Sequence, residues 1–175
     1  MSESAHTMQR SLKYRSVTDF SAMSDADADA LVAAASELQT AARAGVTRRA
    51  LRGKNLAMLC DEGEAAGAAA LFHRAASELG AQVAQLRPSL SERSTPDQVQ
   101  DTARLLGRLY DALDCVGLPS QLVRQIGAAA GVPVFEAISS SSHPTARLAA
   151  QLNGDSAPDD KRCAVMQAVL LGALA

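Results

Sequence analysis

"NLAMLCDEGEAAGAAALFHRAASELGAQVAQL", residues 55–86, is the stretch that decides the fold. It opens on Asn55-Leu56-Ala57-Met58-Leu59-Cys60, an apolar run without polar alternation, as in a strand covered on both faces. An alanine-rich segment, about 65–79, reads as a helix stopped by Gly80. "AQVAQL", 81–86, reads as a second strand. Strand, helix and strand joined by short connections make a crossover unit, and a crossover unit requires parallel strands.

The same alternation extends outward from this unit. Upstream, "TDFSAMSDADADALVAAASELQTAARAG" predicts a helix capped by Ser24 or Asp25, with acids in its first turn and Gly45 at its end. Leu31, Ala34, Ala35 and Leu38 share one face of it. Downstream, the polar loop Arg87 to Asp97 leads through Pro96 into a helix, 97–109. A third strand follows at 111–116, then a helix ending at Gly131, then the fourth strand "VPVFEA". The loop "ISSSSH" precedes a helix that starts at Pro144. Val165, Met166, Val169, Leu170 and Leu174 repeat at helical spacing, which predicts a C-terminal helix, 159–174, docked by one face. The expected fold class is α/β: a four-stranded parallel sheet with helices on both faces, three layers in all. Residues 1–15 read as a flexible N-terminal arm and residues 16–175 as a single domain.

Composition narrows the function classes. The 175 residues are 47% hydrophobic and 21% charged, with a net charge of -2, so no basic surplus points to nucleic acid or to an anionic membrane surface. Aromatic residues are 3% and tryptophan is absent, which argues against base stacking. The amino terminus lacks the apolar segment of a secretory signal, and a cytoplasmic location is expected. Cys60, Cys115 and Cys163 form no CxxC pair and are expected to be reduced and buried. No cofactor is expected. A metal site built from Cys60, Cys115 and His143 in one crevice is the sharper alternative to inert buried thiols, and the inert reading is preferred. Asp25, Asp27 and Asp29 alternate, but they lack the glycine and distal glutamate of a calcium loop and read as the acidic start of a helix. Ser139 to Ser142 lack a nucleophile elbow and read as a loop.

Four stretches in order resemble the aspartate/ornithine carbamoyltransferase family, its ornithine branch most closely. They are "LRGKNLAML" (Leu51 to Leu59), "DTARLLGRLYDAL" (Asp101 to Leu113), "AGVPVFEAI" (Ala130 to Ile138) and "HPTA" (His143 to Ala146). The resemblance covers roughly 45–153 and implies the carbamoyl-phosphate-binding domain. "DDKRCAVMQAVLLGAL", Asp159 to Leu174, resembles the family's closing helix, which implies that the second, amino-acid-binding domain is missing and that the helix is joined on through "NGDSAPDD".

The resemblance places Ser-Thr-Arg-Thr-Arg at the turn after the first strand, where this chain reads Gly-Glu-Ala-Ala-Gly-Ala-Ala from Gly63 to Ala69. Val116 stands where the family has an arginine, and Ala146 where it has the glutamine of His-Pro-Thr-Gln. Only His143 and Thr145 match the pocket. Glu64, Val116, His143, Thr145 and Ala146 are therefore expected to line a degenerate pocket, with Asp61 and Glu62 adding negative charge. His143 is either a remaining catalytic group or a structural turn residue with its ring bonded to backbone, and the structural reading is favoured. Family members are trimers through this domain. That implies a homotrimer, or a mixed oligomer with a full-length transcarbamoylase, with Glu92 and Arg93 near a subunit boundary. The favoured function is an inactive interaction or structural protein. A re-lined small-ligand module, for a cation given its acids, and an enzyme with altered chemistry around His143 are the alternatives.

Overall fold

The computed structural model describes residues 20, 22–46, 49–60, 66–87 and 89–175. The arm expected at 1–15 and the acidic turn at Asp61, Glu62 and Glu64 lie outside them. In chain order the elements are α1 (Asp25–Arg43), β1 (Asn55–Cys60), α2 (Ala66–Glu78), β2 (Gln82–Leu86), α3 (Pro96–Leu109), β3 (Ala112–Val116), α4 (Ser120–Ala130) and β4 (Val134–Glu136). A 3-10 helix, Pro144–Gln151, and α5, Pro158–Leu174, complete the chain. The strands form one parallel sheet in the order β2-β1-β3-β4. This is the α/β architecture that the alternating pattern requires.

Side-chain alternation along β1 divides the interior in two. Leu56, Met58 and Cys60 join the larger core with residues of α1, α2, α5 and the 3-10 helix. Ala57 and Leu59 join the smaller core with residues of α3 and α4. Both faces of the strand are apolar because both are covered, and the sequence therefore shows no period of two.

Local chemistry sets the helix ends. Ser24 caps α1 through a reciprocal pair with Asp27, and Thr95 caps α3 with Gln98 in the same way. Each pairing satisfies donors at the helix start that would otherwise have no partner. Gly131 ends α4 in the left-handed region, φ 72°, which a side chain rarely adopts. At the amino edge of the sheet Asp111 accepts from the Asn55 N–H at 2.9 Å and pairs with Lys54 at 3.1 Å, joining the starts of β1 and β3. Burial opposes ionisation of Asp111, but these two donors outweigh it and hold its carboxyl below the ordinary range.

The helix expected from Pro144 is of the 3-10 type. One local expectation needs correction: the C-terminal helix does not dock by one face. Cys163, Ala164, Val165, Met166, Gln167, Ala168, Val169, Leu170 and Gly172 are all buried, because α1, α2 and the 3-10 helix surround it. Its apolar residues extend around the circumference, so the stripe from Val165 to Leu174 marks only part of what is covered. Arg74 of α2 fastens the start of α5, pairing with Asp160 at 2.6 Å while it also holds Glu78 at 2.9 Å. No helix among the described residues is long and apolar enough to cross a membrane.

Candidate functional site

The strand order reverses between β1 and β3. From β1 the chain leaves through α2 on the larger-core side, and from β3 through α4 on the other. In an open parallel sheet, the carboxyl ends of the two strands at such a switch point are the usual place for a ligand. Three described segments border this end. They are Val116 to Ser120, Glu136 at the end of β4, and the loop from Ala137 to His143.

Val116 is partly buried and packs against the larger core. Gly117 follows with φ 75°, and α4 starts at Ser120. The Ser120 hydroxyl donates to the Glu136 carboxylate, which fixes that acid beside the start of α4.

His143 occupies the N-cap of the 3-10 helix. Its Nδ1 accepts from the Thr145 N–H at 3.2 Å and lies 2.8 Å from Thr145 Oγ1. Because a backbone donor occupies Nδ1, the neutral ring carries its proton on Nε2. The ring is 8% exposed and stands edge-on to Phe20, with centroids 5.1 Å apart and planes at 66°. Burial lowers its pKa to about 4, although Glu136 pulls the other way. Thr145 is buried, whereas Ala146 is only partly so, and the Ala146 N–H closes the turn on the His143 carbonyl at 2.9 Å. The ring is thus bonded to the Thr145 backbone.

The loop is supported from beneath. Asp114, in the middle of β3, is fully buried; its Oδ1 accepts from the Ile138 N–H at 3.0 Å and its Oδ2 from the Ser139 hydroxyl at 2.9 Å. Arg162 of α5 donates to the Ser139 carbonyl at 2.9 Å. Motif reading missed Asp114, Glu136 and Arg162. The available signal for the first was a lone acid inside the apolar run Ala112 to Val116.

The remaining candidates lie apart. Glu64 falls outside the described residues. Glu92 and Arg93 are exposed in the turn Ser91 to Ser94, which is closed by Ser94 N–H to Ser91 carbonyl at 3.0 Å and by Ser91 N–H to Ser94 Oγ at 3.0 Å. Leu90 is buried in the smaller core and anchors that loop. The three cysteines are free and buried, but Cys60 and Cys115 do not share a crevice with each other. Cys115 pairs in register with Leu59, not Cys60, so the two thiols point to opposite faces of the sheet. A metal held by both together with His143 is therefore ruled out by strand register.

Residues 15–153 match the family model described as aspartate/ornithine carbamoyltransferase, carbamoyl-P binding domain. The chain belongs to that family. Solved carbamoyltransferases share its fold. The chain superposes on a Leishmania major protein assigned as an aspartate carbamoyltransferase with a TM-score of 0.66 and 28% identity, over 81% of this chain and 44% of that one. Aspartate transcarbamoylase of Trypanosoma cruzi, in complex with N-(phosphonacetyl)-L-aspartic acid, gives a TM-score of 0.65 and 26% identity over 81% and 45%. Ornithine carbamoyltransferase of Gloeobacter violaceus gives 0.56 and 26% over 77% and 41%. The chain thus spans less than half the length of these relatives. Equal identity to the last two places it in the carbamoyltransferase family without separating the two branches.

Proposed function

We propose that this carbamoyltransferase-family domain does not perform transcarbamoylation and serves as an oligomeric interaction or structural protein. The observation that carries this reading is the loss of phosphate-binding groups. Val116 presents a partly buried isopropyl group where the family has an arginine, and Gly63 to Ala69 contain neither arginine nor hydroxyl. Each charge-assisted contact to a phosphate contributes about 1.5–3 kcal/mol, so losing several removes most of the affinity for such a dianion. Asp61, Glu62 and Glu64 in the same stretch add repulsion. The neutral His143 ring, its Nδ1 engaged by Thr145, is consistent with a structural role.

Calorimetric titration with carbamoyl phosphate tests this. The expected result is no saturable heat and no carbamoylation of aspartate or ornithine. Micromolar affinity would overturn the reading.

One observation favours a second reading, a pocket re-lined for a cationic ligand. Glu136 is fixed by Ser120 at the carboxyl end of β4 and interacts electrostatically with His143. Saturable binding of a small protonated amine, lost in Glu136→Gln, would support that module instead.

A further inference from the structure

The loop that carries His143 rests on a carboxyl group with no countercharge. Asp114 lies in a row across the sheet between Met58 of β1 and Phe135 of β4, both buried in the larger core. Among the described residues no lysine or arginine pairs with it. Its two oxygens hold Ile138 and Ser139. The residue before them, Ala137, has φ 53° and is the only described non-glycine residue with positive φ. That conformation costs an alanine free energy, and seating the loop requires it. The surroundings therefore hold a strained turn onto a buried acid.

We propose that Asp114 is a proton-set latch on this loop: with the proton bound, residues 137–143 are seated on the sheet, and loss of the proton loosens them. The chemistry of the two states accounts for this. A protonated carboxyl keeps both contacts without charge, because one oxygen accepts from the Ile138 N–H and the hydroxyl can donate to Ser139 Oγ. An ionised carboxyl keeps its acceptors but carries a charge that neither water nor a cation reaches, and opening the loop hydrates it. Burial accordingly raises Asp114 to about 7, against the hydrogen bonds of the Ser139 side chain and the backbone of Ile138, Ser139 and Ala137.

The other titratable groups nearby do not take its place. His143 is held neutral by burial. The Cys115 thiol, on the opposite face, is pushed up by burial and by Asp114 and Glu136, and stays protonated near neutrality. Cys60, on the same face as Met58, accepts from Gln85. Glu136 is engaged by Ser120, and Arg162 of α5 reaches the Ser139 carbonyl rather than the carboxylate. The proposal does not depend on whether the domain is catalytic.

Amide hydrogen exchange of the intact chain, corrected for the intrinsic rate, tests it. One linked proton predicts that the opening constant of residues 137–143 rises about tenfold per pH unit from pH 5 to 7 and then levels off. The amides of β1 and β3 serve as the internal reference. Asp114→Asn, which can still accept from Ile138, is expected to remove that slope. A carbon-detected titration of Asp114 in the unmodified protein provides a second measurement that does not require the variant to fold. A midpoint near neutrality supports the latch. A midpoint below 5, a flat exchange profile, or an unchanged slope in Asp114→Asn overturns it.

Discussion

His143 and Asp114 are both buried and couple folding to protons in opposite directions. His143 has its folded pKa lowered to about 4 from 6.5. Its contribution is fully present above 6.5 and is lost as pH falls towards 4, because the unfolded chain binds the proton first. Asp114 is raised to about 7 from 3.8, so between those values the folded chain holds a proton that the unfolded chain has released. Its contribution is present at acid pH and is lost as pH rises through 7. Either residue alone can change stability by at most about 1.4 kcal/mol per pH unit. Urea unfolding between pH 4.5 and 6.5 is therefore expected to show a shallow net slope. Asp114→Asn should uncover stability that rises with pH. His143→Asn, which keeps a good capping side chain, should leave stability that falls. A slope unchanged in either variant would remove that residue from the linkage. At this scale His143 and Thr145 were legible in the sequence, because His-Pro-Thr is a local pattern. Asp114 was not, because its partners lie 24 and 25 residues away, across a sheet.

Among the elements, packing opposes intrinsic propensity at one glycine. A Cβ on Gly107 of α3 would lie 1.8 Å from the Ala130 carbonyl oxygen at the end of α4, whereas one on Gly67 of α2 would meet nothing within 4 Å. Propensity alone favours alanine at both by up to about 1 kcal/mol. Chemical denaturation is expected to show Gly67→Ala neutral or stabilising, and Gly107→Ala destabilising by about 1–3 kcal/mol through overpacking. A stabilised Gly107→Ala would mean that α3 and α4 can separate without cost. The cap of α1 at Ser24 was readable from sequence, whereas at α3 the sequence pointed to Pro96 and the structure shows that Thr95 caps the helix with Gln98. The burial of α5 around most of its circumference was not, because α1 and α2, which enclose it, come from the other half of the chain.

The whole molecule bears on assembly. Resemblance to the family implies subunit contacts through this domain, and Glu92 and Arg93 stand exposed at the tip of the loop before α3. Leu105 and Leu109, one turn apart on α3, are 56% and 57% exposed and add apolar surface. Light scattering at micromolar concentration is expected to give an oligomer, with three chain masses as the favoured value. Arg93→Glu should shift it towards monomer. A monomer mass with no co-purifying transcarbamoylase would favour the re-lined ligand module.

By itself the sequence determined the α/β alternation, most element boundaries, the cap of α1 and the family, because these depend on short-range pattern and on residue identity in order. It also determined that Gly63 to Ala69 contain no arginine, serine or threonine. Only the tertiary structure decided which strands neighbour one another, and with that the opposite facing of Cys60 and Cys115. It alone seated the His143 loop on Asp114 and Arg162, and it alone surrounded α5. The physical reason is range. Periodicity and capping act within a few residues, whereas strand register and the burial of a charge are properties of segments that meet only after the chain has closed on itself.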